Sequence, residues 1–134
     1  MSGPSEQATD GVATVAYGDA GDLPGVRALA RARARAYGLA ADQVDGLTIA
    51  VSELVTNTLQ HTRAGGRLRI WGDGSSLYCD VIDGGPQRRL GAVMPEPTAE
   101  RGRGLAIVER LCDEVTSLTD GGFTIIRLRM VRRG

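Results

Sequence analysis

No lysine occurs among the 134 residues; all 16 basic positions are arginine. That absence removes a phosphate-loop lysine, a Schiff-base lysine and every Ser-Lys dyad from the available chemistry. Histidine is nearly as scarce. A single copy argues against a zinc site of ordinary type. The two cysteines, Cys79 and Cys112, are far apart and have no second ligand pair beside them. They read as small buried hydrophobes in a reducing compartment, not as a disulfide or redox pair. No apolar run approaches membrane length, and the polar N-terminus has no charged-then-apolar leader. The expectation is a cytoplasmic protein without membrane contact. Charge of one sign is also missing: 16 acidic residues cancel the 16 arginines. A global field that collects nucleic acid is therefore not expected.

What is present fits one domain. A chain of this length can bury about two-thirds of its unfolded surface. Hydrophobic content of 42% and a mean hydropathy of -0.12 are ordinary for a soluble protein. Residues 1–10 read as a disordered tail and 11–134 as a single domain. Val12 to Tyr17 reads as a strand. Asp22 is placed to cap a helix with Pro24 in its first turn. The alternating Ala/Arg stretch from Arg27 to Tyr37 has strand-like period, but alanine and arginine favour helix, so it reads as helix ending at Gly38. Arg27, Arg31 and Arg35 then form a stripe, either a solvated face or a docking surface for an acidic partner. A second helix is expected from about Ala41 to His61. Strands follow at Arg67 to Trp71 and Leu77 to Ile82 around a hairpin turn. Gln87 to Arg101, with Pro95 and Pro97, reads as a mobile loop. Gly104 to Asp113 reads as a third helix, with Leu105, Val108 and Leu111 inward. Strands at Val115 to Leu118 and Phe123 to Met130 close the chain. The mix is α+β, a two-layer sandwich with helices on one face of a mostly antiparallel sheet.

Three motifs carry chemistry. Glu53, Asn57 and His61 are four residues apart on the second helix, so they stand in one row. Leu47, Val51, Leu54, Val55 and Leu59 make an apolar face beside them. A carboxylate there can act as a base and an amide oxygen can hold a metal. Alone, such a row is also what a solvated helix edge looks like. Asp83, at a strand end before Gly84 and Gly85, can accept from an exocyclic amine such as adenine N6, while a neighbouring glycine lets a flat base approach. Alone, Asp-Gly is equally a plain turn. Arg101-Gly102-Arg103-Gly104-Leu105 opens the third helix and can present backbone N–H groups and two guanidinium groups to an anion. Alone, it is equally a hinge with solvated arginines.

The order of these motifs is more specific than any one of them. A Glu-x-x-x-Asn helix, a strand ending in Asp-x-Gly, a loop of about 15 residues and Gly-x-Gly-Leu at a helix start follow one another. This arrangement resembles the Bergerat-type (GHKL) ATP-binding fold of gyrase, mismatch-repair and histidine-kinase ATPases. It is most similar to the small branch that includes bacterial anti-sigma-factor serine kinases. The resemblance spans about Val12 to Arg132. Its most specific parts are Ser52 to Asn57 with His61, and Gly102 to Val108.

The resemblance implies ATP and Mg²⁺ as cofactors. Asn57 would hold the Mg²⁺ that bridges the phosphates, and Glu53 would be the general base for an attacking hydroxyl. Asp83 would bind the adenine amine, with Gly85 as the close-approach glycine. Gly102 and Gly104, with Arg101, Arg103 and Leu105 around them, would hold phosphates. Thr124 would support the adenine end, and His61 would border the site. Gln87 stands where many relatives have a second glycine. The implied activity is an anti-sigma factor with serine/threonine kinase activity towards an antagonist protein, working as a homodimer whose contact could be the first strand and helix. The alternative is a non-catalytic ATP-binding module that sequesters its partner.

Overall fold

The computed structural model describes residues 11–62, 64–84 and 106–133. Five strands form one sheet: β1 (Ala13–Tyr17), β2 (Gly66–Gly72), β3 (Ser76–Asp83), β4 (Glu114–Asp120) and β5 (Phe123–Val131). Their spatial order is β1-β2-β3-β5-β4, and every neighbouring pair is antiparallel. Two long helices, α1 (Leu23–Tyr37) and α2 (Ala41–His61), pack over β2 and β3. A third, α3, occupies 106–111 of the described residues. This is the α+β architecture expected from the sequence. The expected tail at 1–10, Gly85, Gln87, the loop to Arg101 and the glycine cluster to Leu105 lie outside the described residues.

Helix α2 has the bounds its pattern predicts. Leu47, Val51, Leu54 and Val55 are buried against the sheet, as a 3.6-residue period requires. Gln43 anchors the helix start: its carbonyl oxygen accepts from Ala40 N–H, and its amide donates to the Val131 carbonyl at 2.7 Å. Helix α1 buries Val26, Ala30 and Ala34, one every turn, and the alanines allow its backbone to lie close to α2. Two members of its arginine stripe turn inward to that neighbour. Arg27 donates twice to the Ser52 hydroxyl, and Arg31 pairs with Asp45 at 3.0 Å. They therefore fasten α1 to α2, a role that neither expectation for that stripe included.

The helix start differs from expectation. Asp22 occupies the capping position of α1 but makes no cap bond there. A short 3-10 turn (Ala20–Asp22) precedes the helix, and the Asp22 carboxylate reaches back to the N–H groups of Gly18 and Asp19. Asp19 caps the turn by accepting from Gly21. Two aspartates three residues apart satisfied each other's backbone, so the reciprocal pair won over a single cap.

The sheet face away from α1 and α2 carries a layer not expected from the sequence. Trp71 and Tyr78, opposite one another across β2 and β3, stack with centroids 5.4 Å apart. The guanidinium groups of Arg69 and Arg127 lie 5.5 and 5.0 Å from the Trp71 ring. Arg127 also grips Asp80 with two bonds of 2.7 and 3.0 Å. Asp80 is fully buried while the Arg127 side chain is 36% exposed. Cys79 and Cys112 are both free and buried, as expected. Burial drives the Cys79 thiol well above the usual range and pushes Cys112 up to about 12, so neither is a ready thiolate.

Candidate functional site

The alternation of β3 sends Leu77, Cys79 and Val81 towards the helices, and Asp83, at the end of the strand, continues that series. On β5 the same face carries Thr124 and Ile126, because Val81 stands opposite Ile126. Helix α2 crosses above, and its last two turns present Leu54, Asn57, Thr58 and His61. These three elements enclose one hollow. Its floor is apolar (Leu54, Val81, Ile126), and its polar groups are Asn57, Thr58, His61, Asp83 and Thr124. A mostly apolar slot with a few convergent polar groups suits a flat heterocycle with a polar edge.

Four sequence-predicted residues are thus brought together: Asn57, His61, Asp83 and Thr124. Glu53 stands one turn above Asn57, half-buried, and is not part of this lining. It makes no hydrogen bond or ion pair among the described residues. Gly85, Arg101, Gly102, Arg103, Gly104 and Leu105 lie outside the described residues. Gly84, inside the same cluster, has a structural reason of its own. Its N–H donates to the Gly65 carbonyl at 2.6 Å, and a Cβ there would collide with the Gly65 backbone.

Sequence reasoning missed Thr58 and Tyr17. Thr58 follows Asn57 and could have been found by rotating the helix one step. Tyr17 ends β1 and gives no such signal. It stands opposite Gly66, which stands opposite Asp83, so the three form one row across three strands. With no side chain at Gly66, the Tyr17 ring lies across it, and its hydroxyl donates to the Ile82 carbonyl at 3.3 Å. Burial pushes the phenol up to about 12; the facing Thr58 hydroxyl pulls it down, and the nearby Asp83 carboxylate adds to the rise. Tyr17 is therefore a neutral donor at any physiological pH.

The donor set can be tested against a metal. Among the described residues, no group of three His, Cys, Asp or Glu could hold one. The carboxamide of Asn57 is an oxygen donor at the edge of the hollow. One protein oxygen, with the rest supplied by phosphates and water, is how Mg²⁺ is commonly held at nucleotide sites. The residues present fit that group and do not fit an all-protein cage.

A crystal structure of the RsbU and RsbW domains of Rv1364c from Mycobacterium tuberculosis superposes with a TM-score of 0.66. It is 23% identical, and the match covers 92% of this chain and 33% of that one, so the likeness is one of fold. The chain thus spans about a third of that protein. No curated protein sequence matches it. Residues 18–130 match the family described as the histidine kinase-like ATPase domain, a span that includes Asn57, Asp83 and Thr124. The chain belongs to the histidine kinase-like ATPase domain family.

Proposed function

We propose that this chain binds ATP with Mg²⁺ and transfers the terminal phosphoryl group to a serine or threonine hydroxyl of an anti-sigma-factor antagonist, while also holding a sigma factor. The observation that carries the nucleotide part is the convergence of Asn57, Asp83 and Thr124, from three separate elements, on one hollow. Asp83 offers acceptors for the adenine amine, and the apolar floor takes the ring. Asn57 holds the cation, whose contribution is to offset phosphate charge. Residues 101–105 supply the phosphate end. Glu53 takes the proton of the attacking hydroxyl as its oxygen bonds to the terminal phosphorus and the bond to the ADP oxygen breaks. The protein acts in the cytoplasm, as a homodimer.

A second reading is favoured by one observation: Glu53 does not line the hollow. Under it the chain is an ATP-responsive module that sequesters its partner without chemistry. Incubation with labelled ATP, Mg²⁺ and the antagonist encoded beside it separates the two. Acid-stable label on the antagonist, lost in Glu53→Ala, is the outcome expected of the kinase. Tight ATP binding with no transfer establishes the module, and acid-labile label would point to a histidine acceptor and sink both.

A further inference from the structure

The sheet face turned away from the helices carries positive charge that the nucleotide assignment does not use. Among the described residues, the helices pack on the other face, buried with Leu68, Ile70, Cys79, Val81 and Leu128. The hollow lies on that side too. Strand register places Arg67, Arg69, Arg127 and Arg129 together on the outer face, with Asp80 and Glu114 as the carboxylates of the same rows. Asp120 stands beyond these rows, at the β4–β5 turn. Both carboxylates are taken, Asp80 by Arg127 and Glu114 by Arg129 at 3.3 Å. Arg67 and Arg69 make no ion pair or hydrogen bond among the described residues. They stand two positions apart on one face of β2, so about 7 Å separates them. The Arg69 guanidinium lies 5.5 Å from the Trp71 ring centre. A guanidinium group held on a ring keeps its N–H edge free and has less side-chain freedom to lose on binding. Ile82, Ile125 and Leu118, in register across β3, β5 and β4, form an apolar row beside the arginines.

We propose that this outer face docks an acidic segment of a partner protein, with two carboxylates seated on Arg67 and Arg69. A carboxylate matches the forked donors of a guanidinium group, which can give it two parallel bonds. Arginine, tryptophan and tyrosine, all present here, are the residue types that dominate protein contacts. Two other occupants fit less well. A second copy, set face to face, would bring the arginine excess against itself. A nucleic acid would offer phosphates to the same arginines, but a base needs an open ring to stack on. The Trp71 ring is already engaged by Tyr78 and by two guanidinium groups. The apolar row beside the arginines also suits a protein surface. The face and the hollow lie on opposite sides of the sheet, so this docking does not rest on the nucleotide reading.

Trp71 is the only tryptophan in the chain, so its emission reports on this face. The test is titration of the full chain with a synthetic peptide of glutamate and leucine, read by that emission at low and high salt. A saturable change is expected, and it should weaken as salt rises. The double variant Arg67→Gln/Arg69→Gln should raise Kd by roughly 10-fold, as the loss of two exposed ion pairs implies. Arg67→Gln alone should raise it by about 3-fold. Arg67 bonds to nothing among the described residues, so this single variant decides if the double one does not fold. The control Arg35→Gln/Arg110→Gln removes the same charge from exposed positions on α1 and α3, and should change Kd by less than about 2-fold. Affinity for MgATP should be the same with and without the Arg67 and Arg69 changes, and a chain that binds no MgATP leaves the peptide result standing. Four outcomes would each overturn the proposal. They are no saturable change with peptide, equal weakening in the control, tighter binding of polyuridylate than of peptide, and a dilution-dependent emission of the protein alone that the arginine changes abolish. The last would show a second copy on this face.

Discussion

Asn57 and Asp83 are polar side chains on one hollow, yet they answer different questions about a ligand. Asn57→Ala removes the carboxamide that, on the proposed reading, holds the cation. Affinity for ATP should then lose its dependence on Mg²⁺, which titration with and without EDTA reads directly. Asp83→Asn keeps size but replaces an acceptor-only group with one that also donates. Preference for ATP over GTP should shrink while the Mg²⁺ dependence stays. A third residue-scale case lies outside the site. Asp80 is fully buried and Arg127 is its partner among the described residues, whereas Arg127 is partly in water. Removing the arginine strands a buried carboxylate; removing the carboxylate lets the arginine rehydrate. Arg127→Met should therefore destabilise by about 3–5 kcal/mol, and Asp80→Asn by clearly less, in urea unfolding. Equal losses would contradict the asymmetry. Asn57, His61 and Asp83 stood out in the sequence because helical spacing and a glycine-bounded strand end leave marks there, whereas Thr124 was singled out only through the family resemblance. Tyr17 was not, because its role depends on what stands opposite it two strands away.

Elements show the same division. Helix α2 was readable from Ala41 to His61, since its apolar period and flanking breaks agree. Helix α1 was readable despite an alternating pattern, because alanine and arginine propensities outweighed the period. The capping at its start was misread: only the geometry of the 3-10 turn shows that Asp22 serves Gly18 and Asp19. The hairpin between β4 and β5 was readable from Asp120-Gly121-Gly122. Both glycines have positive φ, 61° and 89°, as a two-residue turn of the primed type demands. Within α2, Gly46 is buried beside Leu111, but a Cβ added there would meet that side chain at an ordinary 3.6 Å. Glycine costs about 1 kcal/mol in a helix interior. Gly46→Ala should therefore stabilise the protein by roughly 0.5–1 kcal/mol, visible as a raised Tm. A lowered Tm would mean that α2 and α3 approach more closely than this. The exposed pair of Arg31 and Asp45 should matter little, on the order of 0–1 kcal/mol.

At the scale of the molecule, stability should form a plateau in pH with two edges. Backbone N–H groups of Gly18 and Asp19 hold the Asp22 carboxyl below its ordinary 3.8, and those of Ser75 and Ser76 do the same for Asp73. A lowered folded pKa gives stability that is present above 3.8 and is lost as pH falls through the folded value. On the alkaline side, burial raises Cys112 from 9.0 and Tyr17 from 10.0, each to about 12. Their unfolded forms ionise first, so stability declines as pH rises past 9.0 towards 12. Tm measured across pH should be flat between these limits. A Tm that kept rising above 9.0 would contradict the burial of both groups.

Taken alone, the sequence determined the α+β class, the length and place of α2, the β4–β5 turn and, Thr58 apart, the identity of the polar groups that line the hollow. Those features are local: they follow from period, propensity and special backbone residues, which each stretch of chain carries with it. The tertiary structure decided which of those groups share a cavity. It also decided that Glu53 stands outside the hollow, that Arg27 and Arg31 bind α2, and that a glycine in β2 lets a tyrosine from β1 reach the end of β3. Strand order and register set these relations. They arise from packing between segments distant in sequence, which no local pattern encodes.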